Sequence, residues 1–128
     1  MSTSEIYLGL MSGTSIDSID AAAMTFSGGK LKLLGTYAEP IPARVKQQIV
    51  DLCQPGKDSV QLLCETDNQL GELFAQTALA LMQAEGIHPE QVAAIGSHGQ
   101  TVRHSPPRSG AIAFTQQIGD ANIIAART

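Results

Sequence analysis

Apolar and polar positions first follow a strand rhythm. Ile6 to Leu10 is a short apolar run, Asp20 to Phe26 a second and Leu31 to Glu39 a third, with Ser27-Gly28-Gly29 as the turn between the last two. Three strands joined by short loops predict an antiparallel meander, which Pro40 and Pro42 stop. The period then lengthens. Val45, Ile49, Leu52 and Cys53 share one helical stripe, predicting a helix that starts near Pro42 and ends at Gln54-Pro55-Gly56. Asp58 with Gln61 reads as a capping box for a long amphipathic helix carrying Leu63, Leu70, Leu73, Phe74, Thr77, Ala78 and Leu81, and Gly86 is its expected stop. Gly71 inside that helix costs about 1 kcal/mol relative to alanine, so a close packing contact is expected there.

Val92 to Ile95 predicts a short buried strand running into a polar loop, Gly96-Ser97-His98-Gly99-Gln100-Thr101. Ser105 to Gly110 reads as an exposed loop, Ala111 to Ile118 as a strand, Gly119-Asp120 as a turn and N-cap, and Ala121 to Arg127 as a helix. The fold class is therefore α/β: a mixed sheet of three antiparallel strands plus parallel strands, with flanking helices. Chains leaving strands at Leu10, Gly96 and Ile118 would bring three polar loops to one edge of the sheet, where a ligand would sit. Met11 and Met24 are expected in the core.

The first of these loops has the most distinctive chemistry. Gly9 to Asp20 holds two glycines, four hydroxyl residues and two carboxylates. Gly13 permits close approach or a positive φ, and Thr14, Ser15 and Ser18 with neighbouring amides offer donors to phosphate oxygens. Asp17 and Asp20 would repel a phosphate unless a cation or a sugar hydroxyl lay between. The run lacks the G-x-x-x-x-G-K-[ST] pattern, with no lysine placed directly after it to reach the phosphates. A tight hairpin turn using the same residues for geometry alone is the plainer alternative.

Composition narrows the classes. A chain of 128 residues is about one domain, able to bury ~65–70% of its extended surface. Net charge −4 with 16% charged residues leaves no basic stripe for nucleic acid, Lys30 and Lys32 reading as the solvent face of a strand. No apolar stretch approaches the ~20 residues of a membrane helix, and Met1 to Glu5 resembles no signal peptide, so a cytoplasmic protein without a membrane partner is expected. Cys53 and Cys64 read as reduced, half-buried thiols.

Three runs, YLGLMSGTSIDSIDAA (Tyr7 to Ala22), AIGSHGQTVRH (Ala94 to His104) and QIGDANIIAART (Gln117 to Thr128), resemble in order and spacing the anhydro-N-acetylmuramic acid kinase family. That family belongs to the sugar-kinase, actin and heat-shock ATPase superfamily, whose two lobes have ribonuclease-H-like cores. The resemblance implies that residues 1–128 are the N-terminal lobe of a two-lobed kinase. The implied activity is ATP-dependent phosphorylation of 1,6-anhydro-N-acetylmuramic acid with opening of the anhydro ring, giving N-acetylmuramic acid 6-phosphate in peptidoglycan recycling. It assigns ATP contacts to Gly13, Thr14, Ser15, Ile16, Asp17, Ser18, Ile19 and Asp20, with Mg²⁺ at Asp17. Sugar contacts fall to Ser97, His98, Gly99 and Asp120. The catalytic aspartate is implied beyond Thr128, in an Asp-Phe-Arg-type segment, so this chain alone is expected to be inactive and to self-associate through surface meant for its other lobe. A homodimer is the expectation for the full-length protein.

Ser18 stands where the family commonly has glycine, a place where a positive φ would strain it, and Arg103 where tryptophan is frequent, altering packing or sugar stacking. His98 and His104 are too far apart for a one-turn metal pair, and Gly96-Ser97-His98-Gly99 misplaces its serine relative to a nucleophile elbow. Asp120 has a helix cap as its plainer role, and the segment Ile123 to Thr128 is expected to fray without its packing partners. The competing functional class is a non-catalytic nucleotide- or phosphosugar-binding module.

Overall fold

The computed structural model describes residues 5–128, so the first four residues used in judging export lie outside the described part. Its elements are β1 (Ile6–Ser12), β2 (Ser18–Ser27), β3 (Lys30–Pro40), α1 (Ala43–Leu52), α2 (Val60–Glu85), β4 (Val92–Ser105), β5 (Phe114–Ile118) and α3 (Ala121–Arg127). The strands form one mixed sheet in the order β3-β2-β1-β4-β5. β1, β2 and β3 are antiparallel neighbours, β4 runs parallel to β1, and β5 returns antiparallel along β4. The return follows from the connection, because 106–113 is too short for a crossover.

Period-two alternation decides what is buried. Ile6, Leu8, Leu10 and Ser12 of β1 and Ile19, Ala21 and Ala23 of β2 face the helices, meeting Leu70, Phe74, Ala78 and Leu81 of α2 and Val45, Ile49 and Leu52 of α1 in one core. The register places Leu8 beside Ala23 and Leu10 beside Ala21, so small β2 residues sit next to large β1 residues beneath α2. Intervening positions fall on the opposite face, which no described helix covers. Met11 is therefore 48% exposed and Met24 half-buried, and neither belongs to the core as expected.

Three other expectations are corrected. The run from Gly96 to Thr101 is strand, not loop: β1 pairs with it through Gly9–Gly96, Leu10–Ser97 and Ser12–Gln100, and these ladders outweigh the poor strand propensity of its small residues. Ser59, not Asp58, caps α2 by accepting the Leu62 amide at 3.1 Å. Asp58 accepts the Gly56 amide and pairs with Arg103 instead. Cys53 and Cys64 are both exposed rather than half-buried. Among the described residues no helix is long and apolar enough to cross a membrane.

Candidate functional site

β1 leaves the sheet at Ser12, and one level of the sheet crosses Ile19, Ser12, Gln100 and Ile118 in register. The Gly13–Asp17 loop, the middle of β4 and the Gly119-Asp120 turn thus meet at one edge, as the three polar segments were expected to do. This edge includes the carboxyl end of β1, a strand of the parallel pair, where open α/β sheets place ligands.

Gly13 to Ile16 closes a turn, with the Ile16 amide donating to the Gly13 carbonyl at 3.2 Å. Ile16 has φ 56° yet its side chain is buried, so a β-branched residue in the left-handed region plugs the loop into the core. That conformation costs on the order of 1–3 kcal/mol and persists because the surroundings impose it. Among the described residues Ile16 is the one non-glycine residue with positive φ; Ser18 lies in β2 and escapes the strain foreseen for it. The Asp17 carbonyl accepts the Ile41 amide at 3.1 Å, tying the far end of the loop to the chain after β3.

With both ends tied, Thr14, Ser15 and Asp17 point to solvent, and a Cβ added at Gly13 would meet no atom within 4 Å. Ile16 and Ile19 are buried and serve the loop as anchors, while Ser18 donates to the Asp20 carboxylate at 3.2 Å. Lys46 of α1 reaches Asp17 at 3.1 Å from 29 residues away, so a cation stands at the loop although none adjoins it in sequence. Thr14 and Ile16 also border a cavity of about 300 Å³ with Gln100, Thr101, Arg103 and His104.

The proposed sugar contacts do not share one cavity. His98 opens onto the uncovered sheet face, in a depression of about 630 Å³ with Asp20, Gly9 and Gly96. Ser97 lines an apolar groove between β4 and α3. Gly99 is buried at a bulge with φ 75°, where a Cβ would lie 2.5 Å from the Ile118 carbonyl oxygen. Asp120 caps α3 through the Asn122 amide at 2.8 Å.

Arg103 donates to the Leu52 carbonyl at 3.1 Å and to Asp58 at 2.8 Å, joining the end of α1 to β4, and its guanidinium holds the Asp58 carboxyl below the usual carboxylate range. Among the described residues no group of three or more His, Cys, Asp and Glu is gathered to hold a metal. Asp17 offers one hard oxygen donor pair, which suits Mg²⁺, since that ion takes one or two carboxylates and completes its shell with phosphate and water.

Residues 5–128 match the family described as anhydro-N-acetylmuramic acid kinase. The chain belongs to the anhydro-N-acetylmuramic acid kinase family. Proteins named anhydro-N-acetylmuramic acid kinase are 43% identical over the whole chain in Vibrio vulnificus (strain YJ016), 44% over 97% of it in Photobacterium profundum and 47% over 96% in Shewanella amazonensis. The chain covers 34%, 32% and 33% of those three relatives, about a third of their length. In this family member, Lys46, Asp67 and Gln100 are site-building residues that sequence reading missed. Asp67 carried a signal, an acid flanked by the buried Thr66 and Leu70 of α2. Lys46 carried none.

Proposed function

We propose that the complete protein transfers the γ-phosphoryl group of ATP to 1,6-anhydro-N-acetylmuramic acid, and that this chain is its N-terminal, phosphate-holding lobe. Water adds at C1, the C1–O6 bond of the anhydro bridge breaks, and O6 takes the phosphoryl group, leaving N-acetylmuramic acid 6-phosphate and ADP. The observation that supports this reading best is the outward-facing Thr14-Ser15 turn at the carboxyl end of β1, anchored from below by Ile16.

In this reading Gly13 to Ser18 contact the phosphates, Asp17 is the Mg²⁺ ligand, and Lys46 turns from Asp17 to the phosphates when the metal arrives. Mg²⁺, when bound, neutralises charge on the transferring group. His98 faces the sugar across the depression it shares with Asp20, while Ser97 lies on the other side of β4 in the groove beside α3. The base that activates water comes from outside this chain, as the family resemblance implies, so residues 1–128 alone give no turnover. The complete enzyme works in the cytoplasm as a homodimer.

Complete protein mixed with ATP, Mg²⁺ and the anhydro sugar tests this. ADP release should require all three components, and ATP consumption indifferent to the sugar would reject the assignment.

A further inference from the structure

We infer that Gln100 is a positioning residue that aims the Thr14 amide at the nucleotide's phosphates; this rests on the ATP-binding role proposed for the loop. Gln100 is 1% exposed, yet it is a long polar side chain in a sheet position that alternation would fill with hydrocarbon. Both ends of its amide are used. Its Oε1 accepts from the Ser12 hydroxyl, and its Nε2 donates to the Gly13 carbonyl at 3.3 Å and to the Thr101 carbonyl at 3.2 Å. Two carbonyl partners fix which end is nitrogen, so the Ser12 hydroxyl must be the donor to Oε1.

The consequence lies in the next peptide. A trans peptide points its C=O and N–H in opposite directions. The Gly13 carbonyl is held by Gln100 and by the Ile16 amide, so the Gly13–Thr14 peptide cannot rotate, and the Thr14 N–H is turned away from both. Gly13 has open space above its Cα, so an anion can approach that N–H. Without the glutamine a single turn bond restrains the peptide, and the amide has to be ordered when the phosphate arrives.

The test compares wild-type complete protein with Gln100→Met, close in shape and without the amide, and with Ser12→Ala, which removes only the outer support of the glutamine. Binding of a non-hydrolysable ATP analogue is followed by calorimetry, and KM for ATP and for the anhydro sugar by steady-state kinetics. Gln100→Met should weaken the analogue and raise the ATP KM about tenfold, with the sugar KM within twofold; Ser12→Ala should do the same about threefold. Folded Gln100→Met protein that binds the analogue as wild type does would overturn the inference. If Gln100→Met does not fold, Ser12→Ala decides alone, and unchanged analogue binding overturns it. Wild-type protein that binds no analogue would sink the ATP-binding reading itself, and the inference with it.

Discussion

Asp67 of α2 accepts the Gly119 amide on its carboxylate at 2.7 Å, while its own main-chain carbonyl accepts the Asp120 amide at 3.2 Å. One residue thereby fixes the turn between β5 and α3 at the sheet edge. Gly119 adopts φ 125° there, and a Cβ would stand 3.0 Å from the Phe74 ring, so the turn is pressed against the core helix. Replacing Asp67 by alanine leaves the Gly119 amide without its partner. A loss of about 1–3 kcal/mol in chemical denaturation is expected, with Asp67→Asn retaining more because its amide oxygen still accepts.

Gly71 lies one helical turn further on, where an added Cβ would meet the Asp120 backbone oxygen at 3.0 Å and nitrogen at 3.1 Å. In an uncrowded helix, glycine to alanine stabilises by about 1 kcal/mol. At this site overpacking costs typically 1–3 kcal/mol and opposes that gain. Gly71→Ala should therefore lower Tm, and a Tm above wild type would show that α3 yields freely.

Lys46 and Asp17 are 45% and 70% exposed, so their ion pair adds little to stability. Lys46→Ala should leave Tm within about 4 °C. If Lys46 turns to the phosphates, the same variant should raise the ATP KM several-fold and flatten its salt dependence. A KM that does not move assigns Lys46 to the surface pair alone.

The Arg103–Asp58 link has a defined pH signature. The hydrogen bond from Arg103 lowers the Asp58 pKa in the folded state, so the folded protein favours the ionised carboxylate more than the unfolded chain does. The stabilisation is complete above the ordinary carboxylate range and is lost as pH falls through the depressed folded value. The stability gap between wild type and Asp58→Asn should therefore be present at neutral pH and close on acidification. A gap that widens at low pH would contradict the ion pair.

Much of this fold was legible before any coordinates. Alternation in β1 and β2, the stripe from Leu70 to Leu81 and the glycine stop at Gly86, found here left-handed at φ 65°, all depend on near neighbours in sequence. Gly71 was legible for the same reason, because an uncompensated helix glycine implies a close contact. The middle of β4 was not, since Gly96, Ser97 and Gly99 are poor strand formers held by a register with β1 that only the folded sheet supplies. Of the loop, the outward Thr14 and Ser15 were legible from residue type. The left-handed Ile16, the approach of Lys46 and the buried Gln100 depend on partners far away in sequence and left no local mark.

The uncovered sheet face carries Phe26, Leu31 and Leu33 at 56%, 63% and 60% exposure. Apolar surface of this kind supports self-association of residues 1–128 expressed alone. Sedimentation velocity should show mass rising with concentration, and a sharp monomer boundary at every concentration would refute it.

The most direct measurement of the central claim is a crystal structure of the complete protein with a non-hydrolysable ATP analogue and Mg²⁺. The account predicts phosphate oxygens within hydrogen-bonding distance of amides or hydroxyls between Gly13 and Ser18, with the Thr14 amide among the donors. Phosphates bound elsewhere, with that turn unchanged and facing only water, would contradict it.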